Sequence, residues 1–487
     1  MSTNFEPILP GSGASVFPAR PLLDCVALRA LEASAKQTLP QHALMQRAGL
    51  AVARFAMAIA PHARTVWLAC GPGNNGGDGF EAARHLAAWG KKPFITAPMP
   101  GTGTPADAAA CRTAAQAAGI EFAIGVPPSY DLCIDALFGI GHAREFEGDF
   151  EYWVDAINQR CAPVLAVDLP SGLDADSGRT TRKYIQADYT LSLLALKPGM
   201  FTGNGRDACG RIWLHRLGLE DSMAPACAEL NPTPITEPRP HHSHKGSYGD
   251  VGIIGGATGM TGAALLAARG ALHGGAGRVY AAVLQNPPVS WDPTQPEIMF
   301  RNLEDLHLET MTVVAGCGAG KAIHAHLETI LKRAARLVLD ADGLNALAQS
   351  PTWQNQLASR PAGTTVLTPH PLEAARLLQV TSAQVQADRL SAAQTLARRF
   401  SCTVVLKGSG TVIAAPETLA RINPTGNARL ATAGTGDVLA GMIGARITSG
   451  TNVFGAACAA VHWHGAIADQ WPDTFALDAG RLAAAQR

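Results

Sequence analysis

The sequence predicts an α/β protein of two domains, each a three-layer α/β/α sandwich. Short apolar runs alternate with helix-like segments along most of the 487 residues. The turns that close those runs are rich in Gly, Asp and Ser, above all at Cys70–Gly79 and Ala433–Gly441. A proline-rich stretch near the middle separates two such series. The length supports the division, since single cores stop growing near ~250 residues.

Residues 1–21, with their scattered Gly and Pro, are expected to be a loose tail or a partner-contacting arm. Residues 22–60 are helix-like, with Leu44, Met45, Ala48, Val52 and Phe55 at helical spacing. Thr65–Cys70 is a strand that runs into the glycine-rich turn, and a helix is expected from Gly79 to Trp89. Further strands follow at Pro93–Thr96, Asp131–Leu137, Val164–Val167 and Thr190–Leu196, with helices at 105–118 and 150–159. This alternation implies a parallel sheet covered on both faces, a Rossmann-like arrangement over 22–220. Its Gly, Asp and Ser clusters fall past strand C-terminal ends, where open α/β sheets bind ligands.

Pro225, Pro232, Pro234, Pro238 and Pro240 mark 221–240 as a linker. Residues 241–487 restart the pattern. Strands are expected at Asp250–Ile254, Val279–Ala282, Thr312–Ala315, Leu337–Leu339, Thr365–Thr368, Thr403–Leu406 and Thr411–Ala414. Helix 261–273 and the helix after Gly434 are built from small residues, which suits close packing and suggests self-association into a homo-oligomer.

The composition is 47% hydrophobic and 16% charged with zero formal net charge, so no basic surface for nucleic acid or anionic membrane is indicated. No uncharged apolar run reaches the ~20 residues of a bilayer span, and the first 20 residues carry no secretory pattern. The ten cysteines form no CxxC pair, which speaks against zinc and for reduced thiols in a cytoplasmic protein.

The Gly71–Gly79 turn is not a GxGxxG fingerprint. Its polar centre is Asn74-Asn75-Gly76-Gly77-Asp78, where amides supply donors and acceptors and glycines admit a ligand to the backbone. Asp135 ends an apolar strand and needs a partner there. Asn75, Asp135 and Ser171 converge at neighbouring strand ends as an all-oxygen set suited to a hard cation. Asp168 follows Val164–Val167 as a plausible general acid or base.

In the second half, successive amides at Gly434-Thr435-Gly436-Asp437 form an anion hole, and Asp437 can take a proton from a substrate hydroxyl. Lys407-Gly408-Ser409-Gly410-Thr411 can hold a nucleotide phosphate or ribose. Thr368–Glu373 and Asp340–Gly343 end neighbouring strands. Gly316–Lys321 lacks the spacing and hydroxyl of a P-loop. His241, His242 and His244 belong to a solvated segment rather than a metal site.

Cys70–Leu86, Asp135-Ala136-Leu137-Phe138-Gly139, Val167–Asp174 and Leu196-Lys197-Pro198-Gly199 together resemble the NAD(P)H-hydrate epimerase domain over about 22–220. The resemblance implies hydrate binding by Asn74, Asn75, Gly76, Gly77 and Asp78 and by Gly139, Ile140, Gly141, His142, Ala143, Arg144 and Glu145. It also implies a potassium ion on Asn75, Asp135 and Ser171, with Asp168 at the reacting nicotinamide. The 139–146 loop departs from the Gly-Thr-Gly-Leu and Arg-Pro-Leu forms of the family. His244–Gly249, Gly316–Gly320, Thr368–Glu373, Lys407–Thr411 and Gly434–Asp437 resemble the ribokinase-like ADP-dependent NAD(P)H-hydrate dehydratases over about 240–485. That implies ADP on Lys407–Thr411 and Gly436, with magnesium, hydrate contacts from Ala263, Gly318 and His370, and Asp437 as the catalytic carboxylate. The substrates would be NADHX, NADPHX and ADP. A ribokinase-like small-alcohol kinase, or an N-terminal half that only binds nucleotide or protein, are the alternatives.

Overall fold

The computed structural model describes residues 5–8, 17–101, 103–123, 125–141, 145–219, 224–235, 238–287, 289–450 and 452–486. The chain forms two compact units, residues 1–13 with 21–228 and residues 14–20 with 229–487.

The first unit contains strands β1 (Glu6–Pro7), β3 (Thr65–Cys70), β4 (Lys92–Thr96), β5 (Glu121–Ala123), β6 (Leu132–Ala136), β7 (Val164–Val167), β8 (Tyr189–Leu193) and β9 (Arg211–His215). β2 (Arg20–Leu22) lies where the chain passes between units. The sheet order is β1-β9-β8-β7-β6-β3-β4-β5, parallel except for β1 against β9. Chain order reverses between β3 and β6, so the loops after these strands and after β7 flank a switch-point crevice. Helices α1 (Cys25–Thr38), α2 (Ala43–Ile59) and α3 (Asn74–Ala88) bury Leu28, Val52, Phe55, Phe80 and Leu86 in the core shared with Leu68, Ile134 and Leu191. Pro40 separates α1 from α2, since a proline cannot continue the hydrogen-bond ladder.

In the second unit, β10 (Ala228–Leu230), β11 (Asp250–Gly255), β12 (Arg278–Val283), β13 (Met299–Phe300), β14 (Thr312–Ala315), β15 (Arg336–Leu339), β16 (Thr365–Leu367), β17 (Thr403–Leu406), β18 (Val412–Ala415) and β19 (Thr418–Ile422) run in the order β13-β12-β11-β14-β15-β16-β17-β18-β19-β10. β12 to β17 are parallel through β11, and β17, β18 and β19 turn back as antiparallel neighbours.

Two expectations change. Residues 1–21 are not a loose tail throughout. Glu6 and Pro7 pair with Leu214 and Trp213, and Ile8 is buried. Phe17 exchanges hydrogen bonds with Thr233 within the second unit. Within 221–240, Glu229 and Leu230 pair with Arg421 and Ile422, and buried Asn231 donates to Asn423 Oδ1 and to the Cys458 carbonyl. The prolines lie outside this short run, which leaves its ladder intact. The small-residue helices Thr261–His273 and Thr435–Thr448 pack on each other within the unit. A Cβ on Gly441 would stand 2.0 Å from the Ala267 carbonyl oxygen, and one on Gly270 2.4 Å from that of Val438. At these positions the small residues serve packing between the two helices.

All ten cysteines are free thiols, seven of them buried. Among the described residues, no helix is long and apolar enough to cross a membrane.

Candidate functional sites

The crevice of the first unit is a cavity of about 1140 Å³. Asn74, Asn75, Asp78, Gly139, Ile140, Gly141, Glu145 and Asp168 line it, as do side chains of α1 and α2. His142, Ala143 and Arg144 lie outside the described residues. The Asn-Asn-Gly-Gly-Asp block is itself the first turn of α3, with Gly73 as its N-cap, so the helix starts five residues before the expected Gly79. Gly76 and Gly77 are buried in that turn and do not line the cavity. Their role is packing: a Cβ on Gly76 would sit 1.9 Å from the Gly71 carbonyl oxygen, and one on Gly77 2.6 Å from Met45. This helix end opens on the cavity through Asn74 and Asn75, and its positive dipole suits an anionic ligand.

Asp135 and Ser171 are fully buried. Asp135 accepts from the Ser171 amide (2.8 Å), the Ser171 hydroxyl (2.6 Å) and the Leu137 amide (3.2 Å). Burial pushes its carboxyl up to about 6 against these hydrogen bonds. Among the described residues Asp135 has no ion-pair partner, and the buried Asn75 Nδ2 has no hydrogen-bond partner. Asp135 and Ser171 form a buried oxygen pair at adjoining strand ends, and oxygen donors of this kind suit a hard cation; the orphaned Asn75 Nδ2 is a donor and calls for an acceptor instead.

Asp168 adopts a left-handed backbone, φ 67°. Its amide donates to the Leu191 carbonyl at 2.9 Å, and its Oδ1 accepts from the Leu193 amide at 3.0 Å and from Lys197 Nζ. Lys197 also donates to Ser192 Oγ and the Leu193 carbonyl, both at 3.0 Å. Its role escaped the sequence reading, although a lone lysine in the apolar run Leu193–Met200 signals a buried partner.

In the second unit, Asp437 lies in the first turn of helix Thr435–Thr448, capped by Gly434 at φ 89°. Burial, then the charge of Asp340, raise its carboxyl to about 6. Ligand atoms of Cys317, Asp340 and Asp437 all lie within 4.8 Å of one another. Asp340 Oδ1 accepts from Lys407 Nζ and from Thr368 Oγ1, both at 2.7 Å. A Cβ on Gly436 would be 3.4 Å from Lys407 Nζ, so the lysine stands at the Gly434–Asp437 turn. His464 bonds the Thr435 carbonyl from Nε2 at 2.9 Å and steadies that turn.

Lys407–Thr411 connects antiparallel β17 and β18. Buried Arg389 supports it from below, donating to the Leu406 (3.1 Å) and Lys407 (3.2 Å) carbonyls. A Cβ on Gly318 would stand 2.7 Å from that of Ala263, which brings these two residues together beside Cys317. His370 caps helix Pro371–Leu378. Its Nδ1 accepts from the Leu372 amide at 3.1 Å, leaving Nε2 to donate to Glu373 Oε1 at 3.2 Å. Burial and Lys407 lower His370, and burial pushes Glu373 up to about 7. His241, His242 and His244 are exposed.

Residues 41–199 match the family described as YjeF-related protein N-terminus, and residues 251–485 match NAD(P)H-hydrate dehydratase. The bifunctional NAD(P)H-hydrate repair enzyme Nnr of Escherichia coli (strain K12) is 36% identical over 450 residues, spanning 88% of this chain and 85% of its own. That of Coxiella burnetii is 35% identical over 465 residues, 91% and 93% of the two chains. The ADP-dependent (S)-NAD(P)H-hydrate dehydratase of Neisseria meningitidis is 42% identical over 256 residues, 51% of this chain and 86% of its own. The two sites and these full-length likenesses agree: the chain belongs to the bifunctional NAD(P)H-hydrate repair enzyme family.

Proposed function

We propose that the chain repairs hydrated NAD(P)H in two steps: the N-terminal unit interconverts the R and S hydrates, and the C-terminal unit dehydrates the S form with ADP. The observation that carries this is one chain holding both an acid-lined crevice around Asp168 and an anion-hole turn bearing Asp437, with relatives named for both activities.

In the C-terminal unit the substrate hydroxyl is a poor leaving group. Asp437 takes its proton while the oxygen accepts the terminal phosphoryl group of ADP, giving AMP. The C–O bond then breaks, phosphate departs, and loss of a proton from the adjacent carbon restores the ring double bond. The turn amides at Gly434–Gly436 and Lys407 offset the phosphate charge, and the Lys407–Thr411 loop seats the nucleotide. Ala263, Gly318 and His370 bound the hydrate. Magnesium carried on the ADP phosphates would neutralise charge there, and the carboxylate oxygens of Asp340 suit it.

In the N-terminal unit Asp168 moves the proton at the reacting nicotinamide, and the α3 N-terminus with the Gly139–Glu145 loop holds the dinucleotide. Potassium on Asn75, Asp135 and Ser171 would tie the three strand-end loops together.

Purified R hydrate, incubated with the protein and no ADP, tests the division of labour by chromatography. The reading predicts an R and S mixture without NADH. R hydrate that stays unchanged, while S hydrate plus ADP yields NADH and AMP, would remove the epimerase half.

A further inference from the structure

The N-terminal cavity holds more acid than Asp168. Leu28, Arg29, Glu32 and Lys36 of α1 line it, with Glu32 three residues after Arg29 and four before Lys36 on one helix face. This helix precedes the matched family segment, which begins at residue 41. Glu32 is half-buried and, among the described residues, forms no ion pair. Burial, then the charge of Asp168, raise its carboxyl, with Lys197, Lys36 and Arg29 opposing. Asp78 is raised too, by burial and then by Asp168 and Glu32. These acids therefore share one cavity and one field, and Lys197 is committed to Asp168.

Epimerisation, the reading this inference rests on, must invert a carbon that bears a hydroxyl and adjoins the ring nitrogen. The nitrogen lone pair forms C=N⁺ as the C–O bond breaks, and the departing oxygen takes a proton and leaves as water. A water then adds to the opposite face and gives its proton to a base. One proton enters and one leaves, with no redox change. Asp168, the anionic partner of Lys197, serves as base, and the hydroxyl needs a separate proton donor.

We propose that Glu32 is this donor, a catalytic acid on the α1 wall of the cavity, with Asp168 as the base on the strand-end wall. In the reverse direction the two exchange roles.

The test measures R-to-S conversion by the full-length Glu32→Gln protein without ADP. The expected kcat is at least ~100-fold below wild type with KM within about threefold. Dehydration of S hydrate with ADP is unchanged, and Glu32→Asp recovers part of the loss. Wild-type inversion in ¹⁸O-water incorporates label at the inverted carbon in step with turnover. If Glu32→Gln lowers the melting point, Glu32→Asp decides, since an acid at that position must outperform the amide. A Glu32→Gln protein that inverts at the wild-type rate, one with only a raised KM, or wild-type inversion without ¹⁸O uptake would overturn the assignment. A wild type that inverts nothing would instead overturn the epimerase reading beneath it.

Discussion

Lys197 and Asp168 form an ion pair whose lysine side chain is 1% exposed and whose aspartate is 14% exposed at the cavity. The lysine is buried and also donates to Ser192 Oγ and the Leu193 carbonyl, so its charge is balanced by Asp168 rather than by bulk solvent. Removing one member of such a pair leaves an uncompensated charge. We expect Lys197→Met to cost about 3 kcal/mol and to abolish R-to-S conversion. Lys197→Met combined with Asp168→Asn should recover much of the stability and none of the activity. Denaturant melts of the three proteins check this, and additive losses would contradict it.

Asp168→Asn alone separates the two chemistries. Epimerisation should fall at least ~100-fold, whereas ADP-dependent dehydration of S hydrate should stay at the wild-type rate. Full epimerase activity in this variant would remove Asp168 from proton transfer.

Asp437 must be ionised to accept a proton, and its carboxyl is raised to about 6. Dehydration under kcat/KM conditions should therefore fall as pH drops through about 6 and level off above it. Asp437→Asn should lose about 10²–10⁴-fold and the acid limb with it. An unchanged limb in a residual-activity profile would assign it to another group, with Glu373, raised to about 7, the next to examine.

The proposed potassium site has a readout independent of turnover. Against choline chloride at equal ionic strength, potassium chloride should raise the melting point of the N-terminal unit, equivalent to about 1–3 kcal/mol near saturation. Asp135→Asn should abolish the difference. Identical wild-type melts in both salts would argue against a cation on Asn75, Asp135 and Ser171.

The alternation of apolar runs and glycine-bearing turns made the parallel sheets legible, because strand-end loops carry most of the polar chemistry. The start of α3 was not legible. Asn74-Asn75-Gly76-Gly77 has poor helix propensity, yet the helix begins there, where the close approach of Gly76 to the Gly71 carbonyl leaves no room for a side chain. Glu32 and Arg389 were missed because each lies in an ordinary amphipathic helix and acquires its meaning from a cavity or a loop far away in sequence. β1 and β10 were hidden by prolines, which bar long strands but not two- or three-residue pairings at sheet margins.

The most direct measurement mixes both NADH hydrate epimers with the protein, ADP, magnesium and potassium and follows the returning absorbance of reduced nicotinamide. Two working units predict complete recovery. Recovery that stalls with R hydrate remaining would leave a dehydratase beside an inactive N-terminal unit. No recovery with either ADP or ATP would contradict the account.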